Sequence, residues 1–456
     1  MGRIATTYMS LSSRREGSFL FLGDIFISFF SLWLALYIRY EGNLTSEVWQ
    51  LHFIPFSILI LVSAVVFFIA GLYEKHTLIL KSKIPYTVLN AQIANSFIAV
   101  LFFYLIPAFI ITPKTNLFIY LVISTGLLVL WRIYGISFIT GRKDKKAALI
   151  VGSGDEMREL SAEINGNDRY DIRFVGDIDL SKEGNIDFQR DVVERIYSEA
   201  ITLIVLNLSD EKVKPFVPPL YNFIFSRVRF IDMHKLYEEI FDRVPLSLLR
   251  YTWFMENLSS TEKKYYDGAK RVMDIVVALL AGLITIPFYV FVALAVKLED
   301  GGPVFIKQQR VGQNNTSITL YKFRTMHGSD LGKWHTGKED LRHTSVGKFL
   351  RKSRIDELPQ LWNVLKGDIS LIGPRPDIYD LGIKLAKEIP YYTVRNIVKP
   401  GLSGWAQISQ DLPPQSLDET RLRLAYDLYY VKNRSFLLDL KIALRTLKTL
   451  VSRGGM

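Results

Sequence analysis

Arg351-Lys352-Ser353-Arg354-Ile355-Asp356-Glu357-Leu358-Pro359-Gln360 sets two adjacent carboxylates behind three cations and just ahead of a proline. Proline suits the first position of a helix, because its φ is already helical and its missing N–H is not needed there. The spacing therefore predicts a helix over Pro359–Lys366, with Gly367 as its stop. Asp356 and Glu357 then stand at a helix entrance, where the positive end of the dipole favours anions. Neighbouring side chains do not share a helix face, so the pair can do two different jobs, one meeting a metal and the other a substrate. An isolated Asp-Glu pair is more often a solvated turn, so the surrounding chain has to decide.

Outward from that stretch, cations crowd the segment between Pro303 and Pro414: Gln308 is accompanied by Arg310, Lys322, Arg324, Arg342, Arg351, Arg354, Arg375 and Lys399. Several sit in turns that can aim them, such as Lys322-Phe323-Arg324 and Gly373-Pro374-Arg375-Pro376. The arginine fork matches phosphate oxygens. A carboxylate pair among such cations fits phosphoryl transfer, with one carboxylate as nucleophile and the other beside Mg²⁺.

The 456 residues carry a net charge of +11 and no cysteine. The mean hydropathy is +0.17. Positive hydropathy with a basic balance points to a membrane protein with surfaces facing head groups or phosphates, not to a nucleic-acid binder. Without cysteine there is no disulfide framework and no thiolate metal site. Four apolar stretches open the chain, Ser18–Ile38, His52–Tyr73, Leu89–Ile111 and Leu117–Ile139, each near the ~20 residues that cross a bilayer as helix. The first is too long for a signal-peptide core and is read as a retained anchor. Arg14, Arg15, Lys75, Lys81, Lys83, Arg142, Lys143, Lys145 and Lys146 flank them on one side, against Glu41, Glu47 and Lys114 on the other. Basic flanks stay inside, which places both ends of this bundle in the cytoplasm. Asp24 and Asn95 lie within spans and read first as helix-packing glue.

From Lys146 the pattern becomes α/β. Ala147–Val151, Ile172–Val175, Ile201–Leu206 and Val228–Ile231 read as strands, and Glu156–Ile164 as a helix. The alternation predicts a Rossmann-like parallel sheet over 146–250. Its Gly152-Ser153-Gly154 turn is half of a dinucleotide fingerprint, with Met157 where the third glycine belongs. No Tyr-x-x-x-Lys pair lies inside this domain, which disfavours a nicotinamide-dependent epimerase or dehydratase. A regulatory or oligomerising role is the better reading.

Val272–Val296 is apolar and long enough to span, but Pro287 interrupts it and both flanks are basic. A helix that enters the membrane, breaks at Pro287 and returns meets both facts, whereas a fifth crossing would put everything after it outside. At the end of the chain, Leu437, Leu440, Leu444, Leu447 and Val451 recur at helical spacing beside Lys441, Arg445 and Lys448. That is a basic amphipathic helix, suited to lying on a membrane surface or to packing on the domain core, with the surface favoured because the preceding segment is tied to membrane.

The segment from Lys270 onward resembles the monotopic phosphoglycosyl transferases, or polyprenyl-phosphate sugar-1-phosphate transferases. It carries in order Lys270-Arg271-x-x-Asp274, Gly302-Pro303-Val304-Phe305, Gln308-x-Arg310-Val311-Gly312, Lys322-Phe323-Arg324-Thr325-Met326, Asp356-Glu357-Leu358-Pro359-Gln360, Gly373-Pro374-Arg375-Pro376 and Pro400-Gly401-x-x-Gly404-Trp405-Ala406-Gln407. With four spans and a Rossmann-like module in front, the whole chain resembles the large bacterial subfamily. The resemblance implies a four-helix transmembrane domain over 1–145, the Rossmann-like domain over 146–250 and a linker over 251–269. An α/β catalytic domain follows over 270–456, with its re-entrant helix at 270–297 and interfacial amphipathic helices.

It also implies an activity. Asp356 would attack the β-phosphorus of a UDP-hexose, and polyprenyl phosphate, such as undecaprenyl phosphate, would take the sugar phosphate to start a surface glycan. Glu357 would hold Mg²⁺. Arg351, Arg375, Lys399, Arg324, Lys322, Arg310 and Gln407 would bind phosphate or substrate, on the cytoplasmic face of a bacterial inner membrane. A homodimer is expected, with membrane lipids as further partners and no nucleic acid. Three departures from the family pattern stand out: Ile286 before Pro287 in place of serine, Arg354 two residues before Asp356 in place of serine, and Ile408-Ser409-Gln410-Asp411 after Gln407.

Overall fold

A computed structural model of the chain describes residues 10–70, 72–73, 84–105, 114–139, 145–167, 170, 172–180, 192–208, 210–225, 228–258, 263–326, 344–410 and 412–453. Lys75, Lys81, Lys83, Arg142, Lys143, Arg342, Asp411 and the end of the expected third span lie outside those residues. The chain divides into two compact units, one of 1–149 with 161–177 and 189–203, the other of 150–160, 178–188 and 204–456.

The first unit opens with four helices, α1 (Ser10–Arg39), α2 (Ser46–Ile69), α3 (Ile84–Leu105) and α4 (Lys114–Ile139). Their apolar side chains close on one another around Leu32, Leu36, Phe56, Leu59 and Tyr120. α1 and α4 approach so closely at Gly23 that any β-carbon there would collide with the Trp131 indole. Most charged and amide groups buried in the bundle find partners there, although Asn95 Oδ1 and Trp131 Nε1 are left over. Arg132 pairs with Asp24, donates to Leu72 O at 2.8 Å, and Tyr73 donates its hydroxyl to the same Asp24 at 2.7 Å. Asn95 donates to Gln92 at 2.9 Å, which donates to Ser124 at 3.2 Å. This is the packing role expected for both polar residues.

β1 (Lys146–Gly152), α5 (Asp155–Gly166), β2 (Ile172–Asp179), α6 (Arg195–Ser198), β3 (Leu203–Leu206), α7 (Val217–Tyr221), β4 (Arg229–Asp232) and α8 (Met233–Phe241) follow. The four strands form one sheet in the order β2-β1-β3-β4. Thr202 N donates to Ala147 O and Asn207 N to Val151 O, so β3 runs alongside β1 in the same direction. Met157, in the place of a third glycine, is fully buried.

The rest of the second unit comprises α9 (Tyr251–Asn257), α10 (Lys264–Asp300), β5 (Phe305–Val311), β6 (Ser317–Phe323), α11 (Ser345–Ser353), α12 (Gln360–Lys366), β7 (Ser370–Ile372), α13 (Tyr379–Glu388), β8 (Gly401–Ser403), α14 (Trp405–Ser409), α15 (Leu417–Asn433) and α16 (Phe436–Arg453). β5 and β6 are an antiparallel pair in register Phe305↔Phe323 to Val311↔Ser317. β7 and β8 pair in parallel. Their core gathers Trp253, Ile372, Leu385, Tyr392, Trp405, Leu424, Leu428, Tyr430 and Ile442. α16 is tied inward through Asp439, which accepts from Lys270, Tyr266 and Tyr430 at 2.6–2.9 Å.

Four described helices are long and apolar enough to cross a membrane: parts of α1, α2 and α4, and α10. The described apolar part of α3, Thr87–Phe103, falls short of that length. α10 corrects one expectation. The backbone stays helical through Pro287 from Lys264 to Asp300, so the proline does not break the helix. Thr285 lies two residues before it, and its hydroxyl donates to Ala281 O at 2.8 Å and Gly282 O at 3.2 Å.

Candidate active site

The hairpin, α11, α12 and α10 together hold the carboxylate pair. Thr344 caps α11 by accepting from Gly347 N at 2.9 Å. Gly347 has to be glycine, because a β-carbon there would lie 2.1 Å from Thr325 O. α11 ends at Arg354, whose φ of +60° turns the chain back on itself. That left-handed conformation is costly for a side chain other than glycine or asparagine. Ile355–Glu357 then form one tight 3-10 turn. α12 starts at Gln360 with Pro359 as its cap, one residue later than the sequence predicts, and Gly367 ends it at φ +96°. Asn363 locks α12 to the hairpin: it accepts from Tyr321 N at 3.1 Å and donates to Thr319 O at 2.7 Å.

α10 grips this assembly at both ends. Arg271 donates to Val364 O and Leu365 O at the far end of α12, both at 2.6 Å. Asp274 accepts from Leu371 N. At the other end, Glu299 accepts from Ser345 N at the start of α11 at 2.6 Å. Val292 and Val296 pack on Phe323 and Leu350.

Within this frame Glu357 is buried among cations. Arg375 donates to its Oε1 at 2.6 Å, Lys322 at 3.2 Å, and the Arg354 guanidinium stands 3.8 Å away. Burial alone would raise its carboxyl, but Arg375 and Lys322 outweigh that and hold it well below the usual range. Asp356 is 7% exposed. Burial, and then the charge of Glu357, push its carboxyl up, against the pull of Lys322, Arg354 and Arg351. Its Oδ1 is buried and has no hydrogen-bond partner. Burial also lowers the Lys322 ammonium, with Glu357 opposing.

Arg375 is aimed by groups that, Arg310 apart, the sequence does not single out. Its carbonyl accepts from Arg395 at 2.7 Å and from Arg423 at 2.8 Å, while Arg310 donates to Pro376 O at 3.0 Å. Arg395, 0% exposed, pairs with Asp377 at 2.5 Å and Asp427 at 2.8 Å. Asp377 also takes Arg423 at 2.9 Å and the Tyr392 hydroxyl at 2.9 Å. Burial would raise the Asp377 carboxyl, but Arg423 and Arg395 keep it low. With its own carbonyl held by two arginines and that of Pro376 by a third, Arg375 reaches Glu357 with its side chain.

Of the expected site residues, Asp356, Glu357, Lys322 and Arg375 come together, and Arg351 is near enough for its charge to be felt at Asp356. The others do different work here. Arg310 donates to Pro376 O and to Gln308. Arg324 lies against Gly302, where any β-carbon would collide with it. Lys399 brings its ammonium near Gly367, at the opposite end of α12 from the carboxylates. Gln407 donates weakly to Leu402 O at 3.5 Å. Arg423 and Asp427 stand at the i,i+4 spacing of a helical ion pair on α15, whereas Arg395 carries no such local signal. Among the described residues there is no group of three or more His, Asp or Glu that would form a metal site from protein alone.

Comparison with known proteins adds a lineage. Residues 265–453 match the family described as bacterial sugar transferase. UDP-N-acetylgalactosamine-undecaprenyl-phosphate N-acetylgalactosaminephosphotransferase of Aeromonas hydrophila is 44% identical over 192 residues, 42% of this chain and 45% of that protein. Exopolysaccharide production protein PSS of Rhizobium leguminosarum bv. phaseoli is 41% identical over 193 residues, 41% of this chain and 96% of that protein. Undecaprenyl-phosphate glucose phosphotransferase of Komagataeibacter xylinus is 31% identical over 329 residues, 68% of this chain and 60% of that protein. The chain thus spans less than half of the Aeromonas relative and nearly all of the Rhizobium one.

Proposed function

Since this chain belongs to the bacterial sugar transferase family, we propose that it moves a sugar 1-phosphate from a UDP-hexose to polyprenyl phosphate through a covalent intermediate on Asp356. The observation that carries the reading is the contrast inside the dyad. Glu357 is fixed and ionised by Arg375 and Lys322, whereas Asp356 keeps a buried oxygen with no partner. The Aeromonas relative is named for a UDP-sugar donor and undecaprenyl phosphate, and the same substrate classes are assigned here.

In the first step the Asp356 carboxylate forms a bond to the β-phosphorus. The bond to the bridging oxygen breaks, and its electron pair leaves with UMP. In the second step an oxygen of polyprenyl phosphate attacks the same phosphorus and restores the carboxylate. Lys322 and Arg375 offset the charge of the diphosphate, and water-poor surroundings strengthen that effect. The Glu357 carboxylate offers hard oxygen donors of the kind that suit Mg²⁺. Glu357 would hold the ion. When bound, Mg²⁺ supplies further neutralisation of the diphosphate.

α10 is assigned a re-entrant path. From Asp274 to Glu299 an α-helix runs about 38 Å, enough to cross a hydrocarbon core of ~30 Å. Both of its ends are nevertheless bound by the same polar unit, through Arg271 and Asp274 on one side and Glu299 on the other. Between them Leu280, Leu283, Ile284, Ile286 and Phe288 are exposed, a stretch suited to lipid. Such a path needs the continuous helix to curve back to one face, and Pro287, which has no N–H to give Leu283, is where that would cost least. That face is the cytoplasmic one, where nucleotide sugars are found. The β1–β4 module is read as Rossmann-like and regulatory, and as the place where two copies meet.

The test is a panel of UDP-hexoses offered to purified protein in nanodiscs with polyprenyl phosphate and Mg²⁺. Release of UMP from one or a few donors is expected; release from none would overturn the reading.

A further inference from the structure

Gln360 begins α12 four residues after Asp356. Its side chain is 4% exposed, and its Nε2, a carboxamide donor, is buried without a hydrogen-bond partner. Buried donors are nearly always matched in a folded protein, so one that is not calls for a bound group that the protein itself does not supply. The acceptor left over in the same region is Asp356 Oδ1. Leu358 N donates to Ile355 O and Leu361 N to Leu358 O, so one unbroken run of turns carries both residues.

The cations nearby do not resolve the mismatch. Arg375, Lys322 and Arg354 are all drawn to Glu357, and being donors they cannot accept from Gln360. The missing partner is therefore an acceptor, and the four-residue spacing along a helical backbone sets Gln360 on the same face as Asp356. When Asp356 is bonded to phosphorus, the other oxygens on that phosphorus are acceptors held a bond or two from the carboxylate.

We propose that Gln360 is a substrate-binding residue of this site, donating its carboxamide N–H to a non-bridging oxygen of the phosphoryl group being transferred. This rests on the assignment of Asp356 as nucleophile and adds a neutral donor to the charged ones. A neutral amide holds the phosphoryl oxygen without the strong attraction that would slow its departure to the acceptor. The role differs from that of Arg375, which is committed to Glu357.

The experiment compares wild type with Gln360→Leu and Gln360→Glu in nanodiscs. It measures kcat/KM for UMP release, covalent labelling by a donor labelled in the β-phosphate, and the thermal midpoint. Leucine has a similar volume and replaces an unmatched amide with an apolar group, so the unliganded protein should melt at the same temperature or higher. Its kcat/KM should fall ten- to a hundred-fold, and labelling should slow in step. Glutamate keeps the shape but sets a negative charge against phosphate, and its loss should be larger still.

If Gln360→Leu stays within two-fold of wild type, the partner is an ordinary buried water and the inference is wrong. If every variant that loses activity also loses its thermal midpoint, Gln360 is structural and the inference is wrong in a different way. A wild type that neither releases UMP nor labels would overturn the underlying reading, and this inference with it.

Discussion

The two charge clusters that meet at Arg375 are built from the same kinds of side chain and finished differently. Behind the loop, Arg395 uses its Nε, both terminal nitrogens and its full length on Asp427, Asp377 and the Arg375 carbonyl. Asp377 uses both oxygens, one on Arg423 and the other on Arg395 and Tyr392. In front of the loop, Arg375 and Lys322 satisfy Glu357, but Asp356 Oδ1 and Gln360 Nε2 are buried and unmatched. Behind the loop Asp427 Oδ1 is left over, but each charge in that cluster has an internal partner, as in the Asp24–Arg132–Tyr73 group among the membrane helices. Matched charge of this kind fixes structure. At the dyad a buried acceptor, Asp356 Oδ1, and a buried donor, Gln360 Nε2, are both left over, which is what the proposed binding of another molecule there would use.

The largest expected effect tests the matched side. Arg395→Met leaves Asp377 and Asp427 with Arg423 in place of two shared cations, and losing one partner of a buried network costs about 3–5 kcal/mol. Denaturant or thermal unfolding in detergent should show it as a large drop, with activity lost as the Arg375 loop loosens. A variant as stable as wild type would break the comparison, because the cluster would then not be what holds the loop.

A smaller effect of opposite sign tests the unmatched side. The folded protein raises the Asp356 carboxyl through burial and the charge of Glu357. It therefore holds the proton to higher pH than the unfolded chain does. Stability is present at low pH and is lost as pH rises through the folded-state value. Asp356→Asn removes that loss, so its thermal midpoint should exceed the wild-type value at pH 8. The gap should close as pH falls and vanish below the ordinary carboxylate range, near ~3.9. A variant that melts lower than wild type at pH 8 would place Asp356 with the structural charges instead.

Much of this was legible in the chain itself. The apolar spans, the strand runs from Ala147 to Ile231 and the Pro359 helix with its Gly367 stop all follow from local periodicity and turn chemistry, which act within a few residues. The carboxylates and Lys322 and Arg375 were legible because short motifs carry them. What stayed hidden depends on contacts between distant segments. Arg395 is an unremarkable arginine until folding brings Asp377 and Asp427 to it. Arg310 and Lys399 looked like phosphate ligands, yet Arg310 is used on Pro376 O. Seven residues of α12, about 10 Å of helix, separate Lys399 from the carboxylates. Arg354 was odd in sequence because its motif position usually holds serine. Its left-handed backbone and its charge near Glu357 give it two roles, as the reversal after α11 and as a third cation on the dyad. Pro287 misled in a different way: a proline removes one hydrogen bond, and the rest of α10 keeps the helix going.

The central claim is that Asp356 takes the sugar phosphate onto its unmatched oxygen. The measurement that tests it most directly is covalent labelling by a UDP-hexose carrying label in the β-phosphate, with acceptor withheld, followed by peptide mapping. Wild type should hold label on the peptide containing Asp356 and release it when polyprenyl phosphate is added, while Asp356→Asn should hold none. Label that persists in Asp356→Asn, or that maps to another residue, would contradict the account.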